Sequence, residues 1–478
     1  MIETAEPQKL IYKLKDLREA HPRLKFLEKS HPTLIRELLH VQKEAREFGE
    51  KHIAPAALSI DNKIAEDHSY FAWDIVEKAL DYRFFSYAIP EGFGGLGYTT
   101  THLAILMEEL CSFCPGIANI FGAHVLGISP MMMAPDIRLY DKYLRLVTDG
   151  EKNGKPVIFA LAITEPGAGS DVEDLEEMKK AKLCTWARKV DGGYILNGRK
   201  VFISNGSIAD YIWVSASMDR EHPETSAIAC IVPSNAEGFS VGTIEKKMGQ
   251  RACPAAEIIM DDVFVPEEDR IRSGGDSERL KTSVLGASRG PVAAIATGIA
   301  RGAFQALLNY LNDYKINGRY LFEEQWVQLI LVDLMTKIQI SRQLYLDAVI
   351  TCDLLGMPKL LSHFSMKSMK YLPEFYLRSQ ISHKLFRSDI LYNNVKNMAD
   401  KAVSIKELKF IAGLSSIAKY TASDLAVEVT SKAMEIMGSD GPIQEYGVEK
   451  FYRDAKLTQI YEGTNQINRI SAYKSLLI

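Results

Sequence analysis

The residues best suited to chemistry lie near the end of the chain, in the segment QIYEGTNQI at 459–467. The carboxylate of Glu462 stands between the ring of Tyr461 and Gly463, and Thr464 follows. Because glycine has no Cβ, a flat ligand can lie against the backbone, and nearby hydroxyl and amide groups can donate hydrogen bonds to it. A carboxylate in such a place can act as a general base. The same pattern also suits a helix start, in which these side chains only cap backbone donors.

A second candidate, GFGGLG at 92–97, fits the glycine pattern of dinucleotide-binding turns. Residues 84–89 ahead of it look like a strand. A dinucleotide site also requires a second strand that ends in an acid about 20 residues further on. Residues 103–110 have a helical pattern instead, so the sequence favours a loop that joins two helices.

Composition narrows the possible functions. The chain has 478 residues, enough for two or three domains, with 47% hydrophobic residues and a net charge of -4. This balance argues against nucleic-acid binding, which needs a basic surface. Six cysteines are scattered along the chain. Cys111 and Cys114 have metal-like spacing, but no second pair accompanies them, so we expect structural roles and no metal site.

The elements that must position these residues form three predicted domains. Residues 1–155 are helical in pattern, and residues 9–30 suggest a short amphipathic surface helix. Residues 156–273 have period-two patterns, with strands at 211–214, 227–232 and 256–260 and a hairpin signal at Asn197-Gly198. Residues 274–478 are helical again, with one long helix predicted from Pro291 to Leu311.

Two further features bear on organisation and location. Residues of about 351–411 combine basic side chains with helical spacing, which predicts a basic helical insertion that extends the C-terminal bundle. Its charge could meet substrate phosphates or an acidic protein partner, and a solvated helical face explains it equally well. No apolar run reaches roughly 18 residues, so we expect no transmembrane segment. The acid-containing N-terminus lacks the pattern of a targeting peptide, so a cytoplasmic location is expected.

Five motifs in order make the chain resemble the acyl-CoA dehydrogenases. They are AITEPGAGSD at 162–171, NGRKVFISNG at 197–206, MGQR at 248–251, Ser288-Arg289 at the expected start of the long helix, and RDAKLTQIYEGT at 453–464. The resemblance implies an α+β multidomain fold. It comprises an N-terminal α-helical domain, a middle β-barrel-like or orthogonal β-sheet domain, and a C-terminal four-helix-bundle domain that carries the insertion.

The resemblance also implies an FAD site. The implied cofactor-binding residues are Leu161, Ile163, Thr164, Gly169, Ser170, Phe202, Ile203, Ser204, Arg319, Gln325, Met437, Gly438, Thr464 and Gln466. Phe202 and Ser204 stand where the family usually has Trp and Thr.

A stronger departure lies at 314–319. Tyr314 and Asn317 replace the arginine and phenylalanine of the family's Arg-x-x-Phe-Gly element. Lys315 or Arg319 could supply the missing positive charge.

The implied catalytic base is Glu462, because the alternative family position, one residue before Arg289, is Ser288. The implied substrate-binding residues are Ser170, Arg289, Tyr461, Gly463, Asn119 and Gly122. Gly122 would leave room for a long or bulky acyl group.

The implied reaction is α,β-desaturation of an acyl-CoA thioester, with electrons passed on to an electron-transfer flavoprotein. The implied assembly is a homo-oligomer, most simply a tetramer, because family members complete the flavin site with a neighbouring subunit. Two alternatives stay open: an oxidase or monooxygenase that uses oxygen on the same fold, and a non-catalytic scaffold member.

Overall fold

The computed structural model describes residues 9–12, 24–134, 136–173, 175–272, 277–361 and 368–477. The N-terminal region is helical, as predicted. Its helices are α1 Leu24–Ser30, α2 Pro32–Phe48, α3 Ala57–Glu66, α4 Trp73–Leu80, α5 Thr100–Cys111, α6 Pro115–Met133, α7 Ile137–Leu139 and α8 Arg145–Lys152. The helix predicted over 9–30 lies largely outside the described residues, which include its last part as α1.

The glycine-rich segment 92–97 is a loop between α4 and α5, as the sequence indicated, and residues 84–89 are not a strand. Helix α5 then begins at a cap supplied from a distant helix. The carboxylate of Asp353 accepts hydrogen bonds from the Thr101 hydroxyl (2.5 Å) and from the backbone N–H of Thr100 (3.0 Å). A carboxylate at a helix N-terminus satisfies otherwise unpaired donors and complements the helix dipole. The contact fixes α5 against the C-terminal domain.

The middle domain is one curled sheet. Its strands are β1 Phe159–Ala162, β2 Trp186–Val190, β3 Gly193–Ser204, β4 Tyr211–Ser217, β5 Ala227–Pro233, β6 Phe239–Ile244 and β7 Ala255–Pro266, and the short helix α9 Leu175–Met178 lies between β1 and β2. The order is β1-β4-β2-β3-β7-β6, with β5 also paired to β4. The three predicted strands are confirmed; β5 is one residue longer than its pattern, whereas β4 and β7 extend well beyond theirs.

The hairpin predicted at Asn197-Gly198 is wrong. Strand β3 runs straight through this pair with a register shift against β7, and the turn that joins β2 to β3 lies at Asp191-Gly192. Gly198 is required for another reason: a Cβ there would lie 2.5 Å from the Cα of Thr185. The glycine therefore permits close approach of backbones rather than a turn.

The C-terminal domain is a helical bundle. Its elements are α10 Ser277–Asp313, β8 Lys315–Ile316, β9 Arg319–Tyr320, α11 Gln325–Leu355, α12 Pro358–Leu361, α13 Glu374–Leu377, α14 Gln380–Phe386, α15 Asp389–Ala402, α16 Ile405–Met437, α17 Val448–Thr458 and α18 Asn465–Lys474. The predicted multidomain architecture is confirmed.

Helix α10 begins at Ser277 and not near Pro291. The apolar pattern had placed the start at Pro291, and the resemblance had placed Ser288-Arg289 at the opening of the helix. Pro291 instead lies inside the helix, where it has no backbone N–H to donate. Ser288 and Arg289 consequently lie inside α10, which turns them toward the centre of the molecule.

The insertion does not lengthen the bundle as predicted. Its middle part lies on the N-terminal domain, where Arg378 pairs with Asp149 (2.6 Å) and Lys370 pairs with Glu91 (3.0 Å), whereas the end of α15 is held by Arg279 of α10, which donates to the carbonyl of Ala399 (3.1 Å). Part of the basic excess of this segment is therefore matched by acids of the domain beneath it.

Helix α6 and the segment Glu278–Asp313 are long and apolar enough to cross a membrane by length and composition. In the fold, 78% and 89% of their apolar windows are buried. The expectation that no apolar run would reach this length was too strict, because central helices are apolar on every side. Both serve as core helices here.

A buried charge cluster joins the N-terminal helices to the bundle. The carboxylate of Glu108 accepts hydrogen bonds from Arg342 (2.5 Å), Arg301 (2.9 Å) and the hydroxyl of Tyr345. Although burial raises its pKa, Arg342 and Arg301 lower the pKa of Glu108 to about 2. The carboxylate is charged and fully engaged.

Candidate active site

Glu462 lies in the short loop between α17 and α18, on a backbone that few side chains adopt. The φ angles of Glu462 and Gly463 are +53° and +78°, so two consecutive residues occupy the left-handed region. This conformation costs a non-glycine residue free energy and persists only where the surroundings impose it. Thr464 then starts α18 as its N-cap, its hydroxyl accepting from the backbone N–H of Ile467 (3.4 Å). The helix-cap interpretation therefore holds for Thr464.

Buried polar side chains hold this loop from behind. Asn468 donates to the carbonyls of Glu462 (3.2 Å) and Gly463 (2.8 Å). Lys419 donates to the carbonyl of Gly463 (2.6 Å), and burial, reinforced by nearby Arg289, lowers the pKa of Lys419 to about 7. These bonds explain how the strained backbone is maintained.

Arg289 also supports the loop. Its guanidinium is buried and donates to Glu173 (2.6 Å), to the Ser416 hydroxyl (2.8 Å) and to the carbonyl of Glu462 (3.3 Å). Burial raises the pKa of Glu173, against the opposing effect of Arg289. Arg289 was predicted to bind substrate, but it lines neither of the two cavities described below. It contacts the Glu462 loop through the backbone carbonyl of Glu462 instead.

Glu462 itself lines the two cavities described below. Its Oε2 accepts a hydrogen bond from the hydroxyl of Ser288 (2.5 Å), its single hydrogen-bond partner among the described residues. Ser288 had been considered only as a position that lacks a base. In the structure Ser288 orients the carboxylate, because α10 starts before it and carries it to the loop.

Glu462 stands between two spaces. The first, the apolar cavity, has a volume of about 170 Å³ and is lined by Tyr461, Asn119, Gly122 and residues of α5, α6 and α10. A Cβ on Gly122 would lie 2.9 Å from the Cε of Met107, so the glycine keeps this space open. Hydrophobic lining of this kind suits a hydrocarbon group.

The second space, the polar groove, has a volume of about 530 Å³ and runs along the sheet. The predicted residues that line it are Leu161, Ile163, Thr164, Gly169, Ser170, Phe202, Ile203, Ser204, Tyr461, Glu462, Gly463 and Thr464. Phe202 has a φ of +59° and leaves 61% of its side chain exposed over this groove. An exposed aromatic on a strained backbone is typical of a ring that awaits a stacking partner.

The turn at 162–171 is fastened to β3. Val201 donates its backbone N–H to the carbonyl of Thr164 (2.9 Å), and Lys200 pairs with Glu165 (2.8 Å) in the interior. Ser170 accepts a hydrogen bond from the backbone N–H of Thr464 (3.1 Å). The two motifs, almost 300 positions apart in the chain, therefore meet at one wall of the groove.

Trp213 was not predicted as a site residue. It lies on β4, opposite Leu161 of β1, and lines the polar groove. Its indole Nε1 is buried and has no acceptor among the described residues. Buried donors are rarely left unpaired, so this one indicates a ligand acceptor. An aromatic face, hydroxyls and an unpaired N–H along one groove fit a flat heteroaromatic cofactor.

The MGQR motif at 248–251 contacts the segment that leads into the Glu462 loop. Gln250 donates through Nε2 to the carbonyl of Asp454 (3.0 Å) and to the Tyr461 hydroxyl (3.2 Å). A Cβ on Gly249 would lie 2.3 Å from the carbonyl oxygen of Arg453, so only glycine permits the contact. The motif positions α17 and hence the loop that carries Glu462.

The remaining predicted cofactor residues lie elsewhere. Arg319, Gln325, Met437 and Gly438 line neither the apolar cavity nor the polar groove. Arg319 is exposed at a small hairpin whose turn, Asn317-Gly318, has φ angles of +51° and +80°. Gln466 lines a separate surface depression that it shares with Thr464.

Comparison with known proteins matches this arrangement. Residues 36–151, 160–263, and 279–371 with 378–477 match the family models described as the N-terminal, middle and C-terminal domains of acyl-CoA dehydrogenase. The cyclohex-1-ene-1-carbonyl-CoA dehydrogenase of Syntrophus aciditrophicus is 30% identical over 90% of this chain and 88% of its own. The protein named caffeyl-CoA reductase-Etf complex subunit CarC, from Acetobacterium woodii, is 29% identical over 90% of this chain and 95% of its own.

Among solved structures, the butyryl-CoA dehydrogenase of Megasphaera elsdenii is similar with a TM-score of 0.73 and 27% identity. The similarity covers 92% of this chain and 98% of that one. The three domain matches together span most of the chain in the expected order. The chain belongs to the acyl-CoA dehydrogenase family.

Proposed function

We propose that the protein binds FAD in the polar groove and desaturates an acyl-CoA thioester at its α and β carbons, with Glu462 as the base. The position of the Glu462 carboxylate, where the polar groove meets the apolar cavity, carries this proposal. A substrate whose acyl group fills the apolar cavity would bring its reacting carbons to the carboxylate and to the groove together.

The residues of this chain have distinct parts in the proposed reaction. Glu462 removes the α-proton, and Ser288 holds the carboxylate in place for it. The backbone N–H of Glu462 has no acceptor among the described residues, which leaves it available to the thioester carbonyl oxygen. A donor at that oxygen stabilises the negative charge that develops as the proton leaves.

The flavin, when bound, supplies the acceptor for the hydride from the β-carbon. Thr164, Ser170 and the indole of Trp213 would hold the ring system through hydrogen bonds, and Phe202 would stack on it. These four residues all line the polar groove.

The direct experiment is flavin bleaching. The purified yellow protein is mixed under argon with a panel of acyl-CoAs, and bleaching by at least one of them is expected. Repeating the reaction in air distinguishes a dehydrogenase, whose flavin stays reduced for long periods, from an oxygen-using oxidase, whose colour returns at once. A protein that binds flavin but is bleached by no acyl-CoA would be a scaffold, and the proposal would be wrong. Because one relative is named a reductase, enoyl-CoAs are tested with the reduced flavin as well.

We further propose an electron-transfer flavoprotein as the electron acceptor, as the name of the Acetobacterium relative indicates for that protein. The test is reduction of an added electron-transfer flavoprotein by the substrate-loaded enzyme, with an artificial dye as the positive control. Turnover with the dye and none with the flavoprotein would exclude this partner.

A homo-oligomer, most simply a tetramer, completes the proposal. Arg319, Gln325 and Gly438 lie outside the groove of their own chain at exposed positions, from which they would reach the cofactor of a neighbouring copy, whereas Met437 is buried in its own chain. Helix α11 supports self-association because Trp326, Leu329 and Val332 form an exposed apolar row at a spacing of three, with exposures of 51%, 65% and 54%.

Light scattering checks this arrangement. The wild-type protein is expected to be an oligomer that retains flavin, and the Leu329→Glu variant is expected to dissociate and lose it. A flavin-loaded monomer would contradict the shared site. The exposed Ile381 of the insertion, changed to Glu, is the matched control, because it lies away from α11.

A further inference from the structure

A second apolar space lies beneath the insertion, and we call it the distal chamber. Its volume is about 290 Å³. Met132, Ala134, Ile137 and Tyr140 of the N-terminal domain form one wall, and residues between 357 and 398 form the others. The insertion is therefore what creates this chamber, and no part of the flavin or thioester chemistry described above uses it.

The chamber offers almost exclusively hydrocarbon and thioether surface. Two of its polar groups are turned away from the space: the Tyr140 hydroxyl donates to the carbonyl of Met132 (2.8 Å), and the Ser382 hydroxyl donates to that of Tyr376 (2.8 Å). Protein interiors contain few voids larger than a water molecule, and apolar voids take up apolar ligands rather than water. An apolar space of this size is suited to a hydrocarbon.

The chamber and the apolar cavity share a thin wall. Met132 lines both spaces. Met357 lines the chamber, and the next residue, Pro358, lines the apolar cavity. Methionine is unbranched and adapts its shape readily, so one flexible side chain and one turn separate the two spaces. The apolar cavity in turn is lined by Glu462, so the chamber adjoins the cavity that holds the proposed base.

The part of the insertion that covers the chamber is held to the N-terminal domain by ion pairs. Lys370 pairs with Glu91, which itself lines the apolar cavity, and Arg378 pairs with Asp149. A Cβ on Gly92 would lie 2.6 Å from the Cβ of Met369. Gly92 of the glycine-rich loop therefore permits the insertion to pack closely against it.

We propose that the distal chamber receives the far end of a long aliphatic acyl chain, with Met132 as the movable divider. The proposal rests on the acyl-CoA activity proposed above and names its substrate class as long-chain acyl-CoA. The apolar cavity of about 170 Å³ would hold the carbons next to the thioester, and the larger chamber would hold the remainder.

The test separates binding from chemistry. Binding of S-butyl-, S-octyl- and S-hexadecyl-CoA, thioethers that cannot be oxidised, is measured on the flavin-loaded protein by calorimetry. Flavin bleaching by butyryl-, octanoyl- and palmitoyl-CoA is measured in parallel. Affinity is expected to rise through the hexadecyl ligand, because each buried methylene contributes about fourfold.

Leu391→Trp fills the chamber from α15. This variant is expected to bind the hexadecyl ligand at least about tenfold more weakly and to bind the butyl ligand as the wild type does. Ile390→Trp is the matched control, since Ile390 is the preceding residue on α15 and is 76% exposed; its length profile should equal that of the wild type. If Leu391→Trp does not fold, Val395→Phe, one turn further on, fills the same space.

The outcomes are distinguishable. Equal length profiles for the wild type and both chamber variants would overturn the chamber proposal while leaving the acyl-CoA activity standing. Absence of binding by every thioether and of bleaching by every acyl-CoA would overturn the proposed function and the chamber proposal with it.

Discussion

Glu108 and Glu462 are both held by the bundle helix α10, yet their surroundings differ completely. Glu108 is 3% exposed, sits inside a regular helix, and is matched by two guanidinium groups and a phenol. Glu462 is half-buried, sits on a left-handed backbone, and receives one hydroxyl hydrogen bond from the residues that the structure describes. A carboxylate whose oxygens are all engaged stabilises the fold, whereas one with an unengaged face between two cavities is able to accept a proton.

The largest expected effect is on the reaction. Glu462→Gln retains the size of the side chain but cannot accept the α-proton. Flavin bleaching should slow by about 10²- to 10⁴-fold, the range for losing a positioned acid or base, while flavin content and unfolding temperature stay near the wild type. Anaerobic stopped-flow absorbance measures the rate. Near-normal bleaching would mean that another residue is the base.

The same substitution at the structural carboxylate is Glu108→Gln. It leaves Arg301 and Arg342 with less negative charge in the interior, so the free energy of unfolding should fall by about 3–5 kcal/mol. The folded protein should bleach at a rate close to that of the wild type. Urea unfolding followed by fluorescence measures the loss. Asp74→Asn, which removes an exposed ion pair with Lys78, is the control and should change stability little.

Acid should weaken the same cluster. Because the pKa of Glu108 is lowered to about 2 in the folded protein from 4.5, its contribution is present above pH 4.5 and lost as the pH falls toward 2. The contribution is about 3 kcal/mol at most. The stability difference between the wild type and Glu108→Gln should therefore shrink across this window in unfolding experiments. A difference that stays constant down to the acid end would contradict the assigned role of the two arginines.

The smallest effect concerns the partner of the base. Ser288→Ala removes the hydrogen bond that orients the Glu462 carboxylate, and bleaching should slow by about tenfold, since small displacements of a reacting group are costly. Ser288→Thr keeps a hydroxyl and should restore most of the rate with little change in KM. Ser283→Ala removes a hydroxyl on the same helix that bonds to the carbonyl of Arg279 and serves as the control. Equal rates for both alanine variants would show that Ser288 is not needed.

Two of the chain's four Asn-Gly pairs, Asn197-Gly198 and Asn317-Gly318, show where local patterns stop being informative. Both pairs suit a tight turn, because asparagine and glycine accept positive φ. Asn317-Gly318 forms one, in a small hairpin of its own. Asn197-Gly198 does not, because the Asn197 side chain bonds to Asp262 on the neighbouring strand and Gly198 lies against Thr185. Asp262 and Thr185, which are distant in the sequence, therefore determine that Asn197-Gly198 forms no turn.

The order of motifs was enough to predict the family and the helical, β and helical order of the fold, and it named many of the residues that line the polar groove, although it missed Trp213 and included Arg319, Gln325, Met437, Gly438 and Gln466, which lie elsewhere. These predictions succeed because each motif is a continuous segment of the chain, so its residues stay together in the fold. The cytoplasmic location, the tetramer and the electron acceptor stay predictions.

What the sequence by itself determined is chemical: a carboxylate at 462, hydroxyls at 164 and 170, an aromatic ring at 202, and helical or alternating periods that place them. Only the tertiary structure decided that Ser288 bonds to Glu462, that the Trp213 indole finds no acceptor within the described parts of the chain, that Arg289 bonds to the carbonyl of Glu462, and that the insertion encloses a chamber next to the apolar cavity. These facts depend on distances between segments far apart in the chain. Such distances follow from how whole helices and strands pack, and no local pattern of residue types encodes them.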